Sequence, residues 1–467
     1  MQRILTSHVL EHKGETIRVA GWIQTRRDHG KLIFFDLRDK EGIVQIVCTP
    51  KREKIYALAQ TLRPEWVVEI EGVVQERPSG MQNAEIPTGS VEISLEKLTV
   101  LSEAKTLPFA IDTAGYEIGE EIRLQYRYLD LRRPRLQRNL KIRSQYVQAA
   151  REYLFSKDFT EIETPLLTKS TPEGSRDFVV PSRQYPGKFY ALPQSPQQYK
   201  QLLMASGVEK YFQIARALRD EDPRADRGFE HTQIDLEMSF VNREDVMEIV
   251  EEMTKYALKK IGGNVKEAPF PVLTYKEAME KYGADKFDPR SEEEKNKGVL
   301  SFAWVIDFPF FEKDKEGKWT FTHNPFSAPI NEEHEQWLLE GTNTEQILTS
   351  QYDLVCNGFE VAGGSMRTHK ANVLQAVFKT MGYTEQEIEE GFSHMLEAFG
   401  FGTPPHGGCA QGFERLLMAF LSEEYLREVQ AFPQTGSGRT SVMTAPSELS
   451  AKQLEELHLK IVPQKKK

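Results

Sequence analysis

The stretch "RALRDEDPRADRGFEHTQIDLEMSF", residues 216–240, opens as a dense run of charges and ends in strict alternation. In its second half Ile234, Leu236 and Met238 face one way, and Gln233, Asp235 and Glu237 the other, which is the period of a strand. The preceding "YFQIARALR" (211–219) is strand-like too, and Pro223 and Gly228 punctuate the charged loop between the two runs. The pattern predicts a long antiparallel hairpin whose polar face carries Arg219, Glu221, Gln233, Asp235 and Glu237. Such a face is either a solvated surface or one wall of a ligand site. Arginine forks suit phosphate oxygens, and carboxylates on the same wall suit an ammonium or a metal.

Two further segments extend this pattern. "SQYDLVCNGFEVAGGSMRTHK" (350–370) holds Asn357-Gly358, a strong hairpin-turn signal. A two-residue turn there pairs Cys356 with Phe359, Val355 with Glu360 and Asp353 with Ala362. Asp353 and Glu360 then share a sheet face as diagonal neighbours, about 7–8 Å apart along the backbone. Two convergent carboxylates can hold a magnesium that bridges phosphates; either acid alone could equally be part of a salt-bridged surface. "GTPPHGGCAQGFERLLMAF" (402–420) runs from a glycine-rich strand or loop into a helix carrying Arg415, where a ligand could approach the backbone closely.

Toward the N-terminus the character changes. Residues 1–103 read as five short strands with few helical signals, separated by "DHGK", "DKEG" and "PSGMQN", which suits a small closed barrel of the OB type. On "KLIFFDLRD" (31–39), Leu32, Phe34, Asp36 and Arg38 share one face and Ile33, Phe35 and Leu37 the other. Phe34 thus sits among polar groups, as a stacking platform for an unpaired base would, or as a partly covered surface aromatic. Arg26, Arg27 and Lys31 bring positive charge nearby. Residues 104–130 form a hinge or linker, and 131–467 alternate helix and strand irregularly, so the fold class is α+β. In "IRSQYVQAAREYLFSK" (142–157), Ile142, Tyr146, Val147, Ala150, Tyr153 and Leu154 line one helical face.

The whole chain has 467 residues, a net charge of -10 and three widely spaced cysteines, Cys48, Cys356 and Cys409. That charge argues against a histone-like nucleic-acid binder but permits a local basic groove. The cysteines predict buried thiols and neither a disulfide framework nor a zinc site. No run is apolar enough to span a bilayer and the N-terminus lacks a signal-peptide core, so a cytoplasmic location is expected.

Taken together the motifs resemble class II aminoacyl-tRNA synthetases, specifically the bacterial-type aspartyl enzymes. Motif 1 (about 136–166) ends in "FTEIETPLL", motif 2 (about 211–240) contains "LRDEDPRADRGFEHTQIDLE", and motif 3 (about 402–421) contains "GTPPHGGCAQGFERLLM". "STPEGSRDF", "LPQSPQQYKQLLMASG", "WVIDFPFF" and "REVQAFPQT" strengthen the match, which covers nearly the whole chain.

The resemblance implies an antiparallel catalytic sheet that binds bent ATP with Mg2+. It implies Arg219 on the α-phosphate, Glu221 on the adenine side, Arg415 on the γ-phosphate and Asp353 and Glu360 on the metal. For L-aspartate it implies Lys200 and Arg367 on the side-chain carboxylate and Glu173 and Asp235 on the ammonium, with Gln197 and His323 completing the pocket. Ser195-Pro196 reads as an N-cap followed by proline in the first turn, which would aim Gln197 and Lys200 from a helix start. Phe34, Gln45 and Glu92, with Arg27 nearby, fall at anticodon-reading positions. A homodimer through motif 1 is implied, in keeping with the apolar helix at 142–154.

Several departures stand out. The large domain that bacterial members carry between motifs 2 and 3 is replaced by a short polar bridge in "YGADKFDPRSEEEKNKGVLSFAWVIDF" (282–308). "GFEH" (228–231) stands for the usual "QPEF", so His231 takes the place of the phenylalanine that stacks on adenine. Asn324 replaces the second of two histidines, and Glu414 a common aspartate. His29 and Gly80 resemble the relaxed form that accepts tRNA(Asn) beside tRNA(Asp). The competing readings are an asparaginyl or lysyl enzyme and a non-catalytic tRNA-binding paralogue. Lys200 with Arg367 argues against the first; retention of Arg219, Glu221, Asp353, Glu360 and Arg415 argues against the second.

Overall fold

The computed structural model describes residues 1–170, 174–266 and 268–462. The chain divides into two compact units, Met1–Ala110 and Ile111–Lys467. In the first, β1 (Thr16–His29), β2 (Leu32–Arg38), β3 (Ile43–Cys48), β4 (Val67–Glu76) and β5 (Val91–Ser102) close into a barrel of order β1-β2-β3-β5-β4. Alternation builds it: along β2 the odd-numbered Ile33, Phe35 and Leu37 are fully buried, while Leu32, Phe34, Asp36 and Arg38 are not. A helix the sequence reading did not anticipate, α1 (Glu53–Thr61), connects β3 to β4. Its Ala59 and the following Leu62 join the barrel core, with Ile55, Tyr56 and Leu58 packed against it.

The second unit is built on a sheet of eight strands among the described residues. They are β6 (Thr160–Glu161), β7 (Lys210–Leu218), β8 (Glu230–Ser239), β9 (Val272–Thr274), β10 (Phe302–Ile306), β11 (Gln351–Cys356), β12 (Phe359–Met366) and β13 (His406–Gly412). The order is β9-β10-β11-β12-β13-β8-β7-β6, antiparallel except for the parallel edge pairs β9·β10 and β6·β7. The expected strand "FTEIETPLL" shortens to the two residues of β6, after which the Ile162 N–H still donates to the Phe212 carbonyl at 3.1 Å.

Two long helices cover one face of the sheet. In α2 (Pro134–Ser156), Tyr146, Ala149, Ala150, Tyr153 and Leu154 are buried, with Ile142 and Val147 packed behind them. They pack into the same core as Val246, Val250, Met253 and Ala257 of α4 (Arg243–Lys260), whose start is fixed by a reciprocal Asn242–Asp245 capping box. Burial of each large apolar side chain there contributes about 1.5–3 kcal/mol. The apolar face at 142–154 is thus packed into the chain's own core.

A buried ionic web ties the start of this unit to its C-terminal part. Asp130 accepts from Arg123, Arg127 and Arg133, while Glu428 accepts from Arg123 and Arg135 and Glu423 from Arg135 and Asn139. Burial opposes ionisation of Asp130 and Glu428, but the guanidinium groups outweigh it and hold both carboxyls below their ordinary range. All three cysteines are buried and free.

Candidate active site

The hairpin expected from the opening stretch is present as β7 and β8, paired from Lys210–Met238 to Leu218–Glu230. Its polar face is not a solvated surface. Asp235 and Glu237 are completely buried, and Asp235 lines a cavity of about 330 Å³ together with residues of β12, β13, α3 (Gln197–Ala205) and α5 (Phe413–Leu421).

At the closed end of this cavity two cations interlock with two anions. Lys200 of α3 donates to Asp235 Oδ1 at 2.8 Å and lies 3.2 Å from Glu237 Oε2. Arg367 donates through Nε and Nη2 to Glu237 at 2.9 and 3.3 Å, through Nη1 to Ser365 Oγ at 2.8 Å, and through Nη2 to the Gly408 carbonyl at 3.2 Å. Lys200 and Arg367 therefore each keep one N–H uncommitted among the described residues. Asp235 Oδ2 is buried with no hydrogen-bond partner. Burial pushes the Asp235 carboxyl up against the pull of Lys200, whereas Arg367 and Lys200 overcome the burial of Glu237 and hold it down. Glu237 lies over Gly408, its partner across the β8–β13 ladder, where a Cβ would come within 1.9 Å of Glu237 Oε2; only glycine leaves room.

Gln197 begins α3 and donates to Gln201 Oε1 at 2.9 Å. The cap differs by one position from expectation: Pro196 is the cap residue, and Ser195 Oγ, two residues before Gln197, accepts its N–H at 3.2 Å.

The open end carries the other charged groups. Arg219 Nε donates to the Gln194 carbonyl at 3.4 Å. Arg415, on the first turn of α5, lies 3.1 Å from Asp226 and 3.8 Å from Glu360 Oε2. Glu221 accepts from Ser175 Oγ and lies 3.7 Å from Arg227. His231 lines the same cavity, its imidazole pulled down to about 3 chiefly by burial and then by Arg219 and Arg415, so it is neutral at working pH.

Asp353 and Glu360 lean together over Gly363, where an added Cβ would stand 3.0 Å from Asp353 Oδ1 and 3.6 Å from Glu360 Oε1. The register differs from the simple hairpin. Val355 pairs with Glu360 but Leu354 pairs with Ala362, so Val361 is a β-bulge and Asp353 faces Gly363, not Ala362. Asp353 Oδ1 accepts from Gln351 at 2.6 Å; Oδ2 is buried, makes no hydrogen bond, and has His323 Nδ1 3.8 Å away. Burial and then Glu360 raise Asp353 to about 7, against His323 and Gln351. Burial opposes the charge of Glu360 as well, but Lys286, 2.7 Å from Oε2, and Arg415 hold it down. An orphaned carboxylate oxygen beside a second carboxylate fits a hard divalent cation. No group of three or more His, Cys, Asp or Glu is set for a metal among the described residues, so such an ion would take further ligands from a bound phosphate.

Thus Arg219, Glu221, His231, Gln197, Lys200, Asp235, His323, Glu360, Arg367 and Arg415 line one cavity, and Asp353 stands against Glu360 beneath it. Glu173 lies outside the described residues. Two charged groups received no role from the sequence: Glu237, placed by alternation on the polar face of the hairpin but not assigned a partner, and Lys286, for which the charge-rich bridge gave no signal.

On the barrel, Arg27 donates to Asp36 at 3.1 Å and to Gln45 at 3.4 Å, and Gln45 and Gln75 each donate to Glu92 at 2.8 Å. Phe34 stands opposite Arg27 on β1 and Val47 on β3, partly buried on this polar face. Arg26, expected to offer free charge, is committed to Asp28 and to the Gln60 and Leu62 carbonyls. His29 ends β1 and is exposed, and Gly80 adopts a φ of 85° in an exposed turn. Among the described residues, no helix is long and apolar enough to cross a membrane.

Residues 119–436 match the family model of class II tRNA synthetases (D, K and N), and residues 17–101 the OB-fold nucleic acid binding domain. The chain is 39% identical to the aspartate--tRNA(Asp/Asn) ligase of Rubrobacter xylanophilus, over 96% of this chain and 95% of that protein. It is also 39% identical to the ligase of the same name from a Geobacillus species, over 97% of each. The Rubrobacter alignment runs over 572 positions against 467 residues here, so that relative carries over a hundred residues that face a gap in this chain. A crystal structure of asparaginyl-tRNA synthetase from Pyrococcus horikoshii, complexed with asparaginyl-adenylate, shares the fold with a TM-score of 0.74 at 24% identity, over 93% of this chain and 98% of that one. With a family model spanning most of its length and relatives this similar from end to end, the chain belongs to the class II tRNA synthetases of the D, K and N group, among the aspartate–tRNA ligases.

Proposed function

We propose that this protein activates L-aspartate with ATP and esterifies it to tRNA(Asp) and also to tRNA(Asn). The observation that carries the amino-acid assignment is the closed end of the cavity. One spare N–H on Lys200 and one on Arg367 match the two oxygens of a side-chain carboxylate, while the orphaned Asp235 Oδ2 awaits an ammonium. Asparagine would bring an NH2 donor against two donors, and lysine a cation against two cations.

ATP then occupies the open end, with Arg219 at the α-phosphate, Glu221 on the adenine side, His231 against the base and Arg415 at the γ-phosphate. A magnesium ion held by Asp353 and Glu360 would supply charge neutralisation along the triphosphate. The aspartate α-carboxylate is already a nucleophile, so no side chain need act as a base. Its oxygen forms a bond to the α-phosphorus as the bond to the pyrophosphate oxygen breaks. Lys200, Arg367 and Asp235 fix the amino acid, and Arg219 and Arg415 neutralise charge developing on phosphate oxygens. The terminal 3′-hydroxyl of tRNA next attacks the adenylate carbonyl, forming the ester as the bond to the AMP phosphate oxygen breaks, and the hydroxyl proton passes to that phosphate. The barrel reads the anticodon through Phe34, Gln45 and Glu92, and the resemblance of His29 and Gly80 to the relaxed form supports acceptance of both tRNAs. The functional unit is a homodimer through motif 1. Exposed Leu166 and Leu167, directly after its proline, support this surface in place of the helix face spent in the core.

Charging of radiolabelled aspartate onto separate tRNA(Asp) and tRNA(Asn) transcripts tests the proposal. Comparable charging of both is expected; charging of tRNA(Asp) alone removes the dual specificity, and charging of neither removes the activity.

A further inference from the structure

The polar bridge that links motif 2 to the later strands is more than a connector. Its first part is pinned to the turn joining the two carboxylates: the Gly358 N–H donates to the Phe287 carbonyl at 3.0 Å. Phe287 is buried and stacks on Tyr282 with centroids 4.0 Å apart and planes within 7°. Arg290 forks onto Asp288 at 2.8 and 2.7 Å and reaches the Val299 carbonyl at 3.0 Å. The backbone of Lys286 is therefore held, while its side chain keeps 37% of its surface exposed.

We infer that Lys286 is the resident counter-cation of the Asp353–Glu360 pair, and that a divalent metal gains the pair by displacing it, so that metal loading is coupled to nucleotide binding. This rests on the reading of the cavity as an ATP site. The ammonium lies 2.7 Å from Glu360 Oε2. A divalent cation held by the same carboxylate would place a second positive charge on it. Ammonium and metal would then be crowded at one group and would repel each other. Arg415 flanks Glu360 at 3.8 Å and is shared with Asp226, and His323 stands 3.8 Å from Asp353. Lys286 is thus the cation in closest contact with the pair. Without nucleotide, an ion arriving at the pair meets this charge and finds only two protein carboxylates. With nucleotide, phosphate oxygens complete the coordination of the ion and offer the displaced ammonium a new partner. Both effects favour exchange, and Lys286 becomes a positioning residue that keeps Glu360 in place until the metal arrives.

The test is Mn2+ binding to the full chain followed by electron paramagnetic resonance. Lys286→Met is expected to bind free Mn2+ at least tenfold more tightly than the parent, Lys286→Arg to match the parent, and Asp353→Asn added to Lys286→Met to abolish the gain. Lys286→Gln is the second neutral variant, and thermal melting verifies that each protein is folded. Equal Mn2+ affinity in the parent and both folded neutral variants overturns the inference. If aspartate-dependent ATP–pyrophosphate exchange persists in the parent, the proposed function survives that result. If no variant binds Mn2+, even supplied as its complex with α,β-methylene-ATP, the metal reading fails and the inference with it.

Discussion

Replacing Arg367 by lysine isolates the value of a guanidinium fork at constant charge. Arg367 uses four of its five N–H groups on Glu237, Ser365 and Gly408, leaving one for the substrate. A lysine could keep an ion pair with Glu237 but not the planar set. The abandoned partners are not orphaned: Ser365 Oγ also bonds Ser327 Oγ at 2.9 Å, and the Gly408 carbonyl accepts Tyr352 OH at 2.9 Å. The folding cost should therefore be small, about 1–2 kcal/mol. Substrate recognition should suffer more, because a charged hydrogen bond to a buried carboxylate is lost and the carboxylate is left under-satisfied. That loss is about 2–4 kcal/mol, or roughly thirty- to a thousandfold in kcat/KM. The assay is aspartate-dependent ATP–pyrophosphate exchange, with thermal melting as the control. A folded R367K protein that exchanges within about threefold of the parent would refute the assignment of Arg367 to the aspartate carboxylate.

Three other outcomes are expected. Phe34→Ala should lower kcat/KM for tRNA by about five- to a hundred-and-fiftyfold, the value of about 1–3 kcal/mol of base stacking, with a far smaller effect on pyrophosphate exchange; equal losses in both would count against the anticodon role. His231→Phe should lower KM for ATP about two- to fivefold through stronger stacking. Because the imidazole is already neutral above about 3, the ratio of variant to parent should not change from pH 6 to 8, and a changing ratio would show a charged His231. Asp130→Asn should destabilise the second unit by about 3–5 kcal/mol, since three buried arginines lose their shared anion. Folding depresses the Asp130 and Glu428 carboxyls, so their stabilisation is present above about pH 4 and lost as pH falls through the folded values; urea midpoints measured down that range should fall less steeply in the variant.

How far the sequence could be read depended on how local the signal was. The β7–β8 hairpin and the two faces of β2 follow from alternation alone, a two-residue period that survives without knowledge of the partner. The β11–β12 register was read one residue out after Glu360, because the bulge at Val361 is decided by pairing across the sheet and leaves no mark in composition. Glu237 was visible on the polar face, but alternation alone names no partner for it. Only the structure shows that it braces two cations whose forward faces remain open. The web around Asp130 read as a mixed connector because its partners, Glu423 and Glu428, lie some three hundred positions away.

The bulge at Val361 settles a question of parity. Glu360 on β12 and Arg367, the residue directly after that strand, are seven positions apart, an odd separation that in regular extended chain sends two side chains to opposite faces. Both nevertheless line the same cavity, one at each end. The extra residue absorbs the odd step, so that Gly363, Ser365 and Arg367 turn to the side on which Glu360 already stands. Loss of that single residue would keep the carboxylate pair where it is and rotate Arg367 into the hydrophobic layer. The two ends of the cavity are thus held in phase by the length of one strand, and that length constrains the chain independently of which side chains it bears.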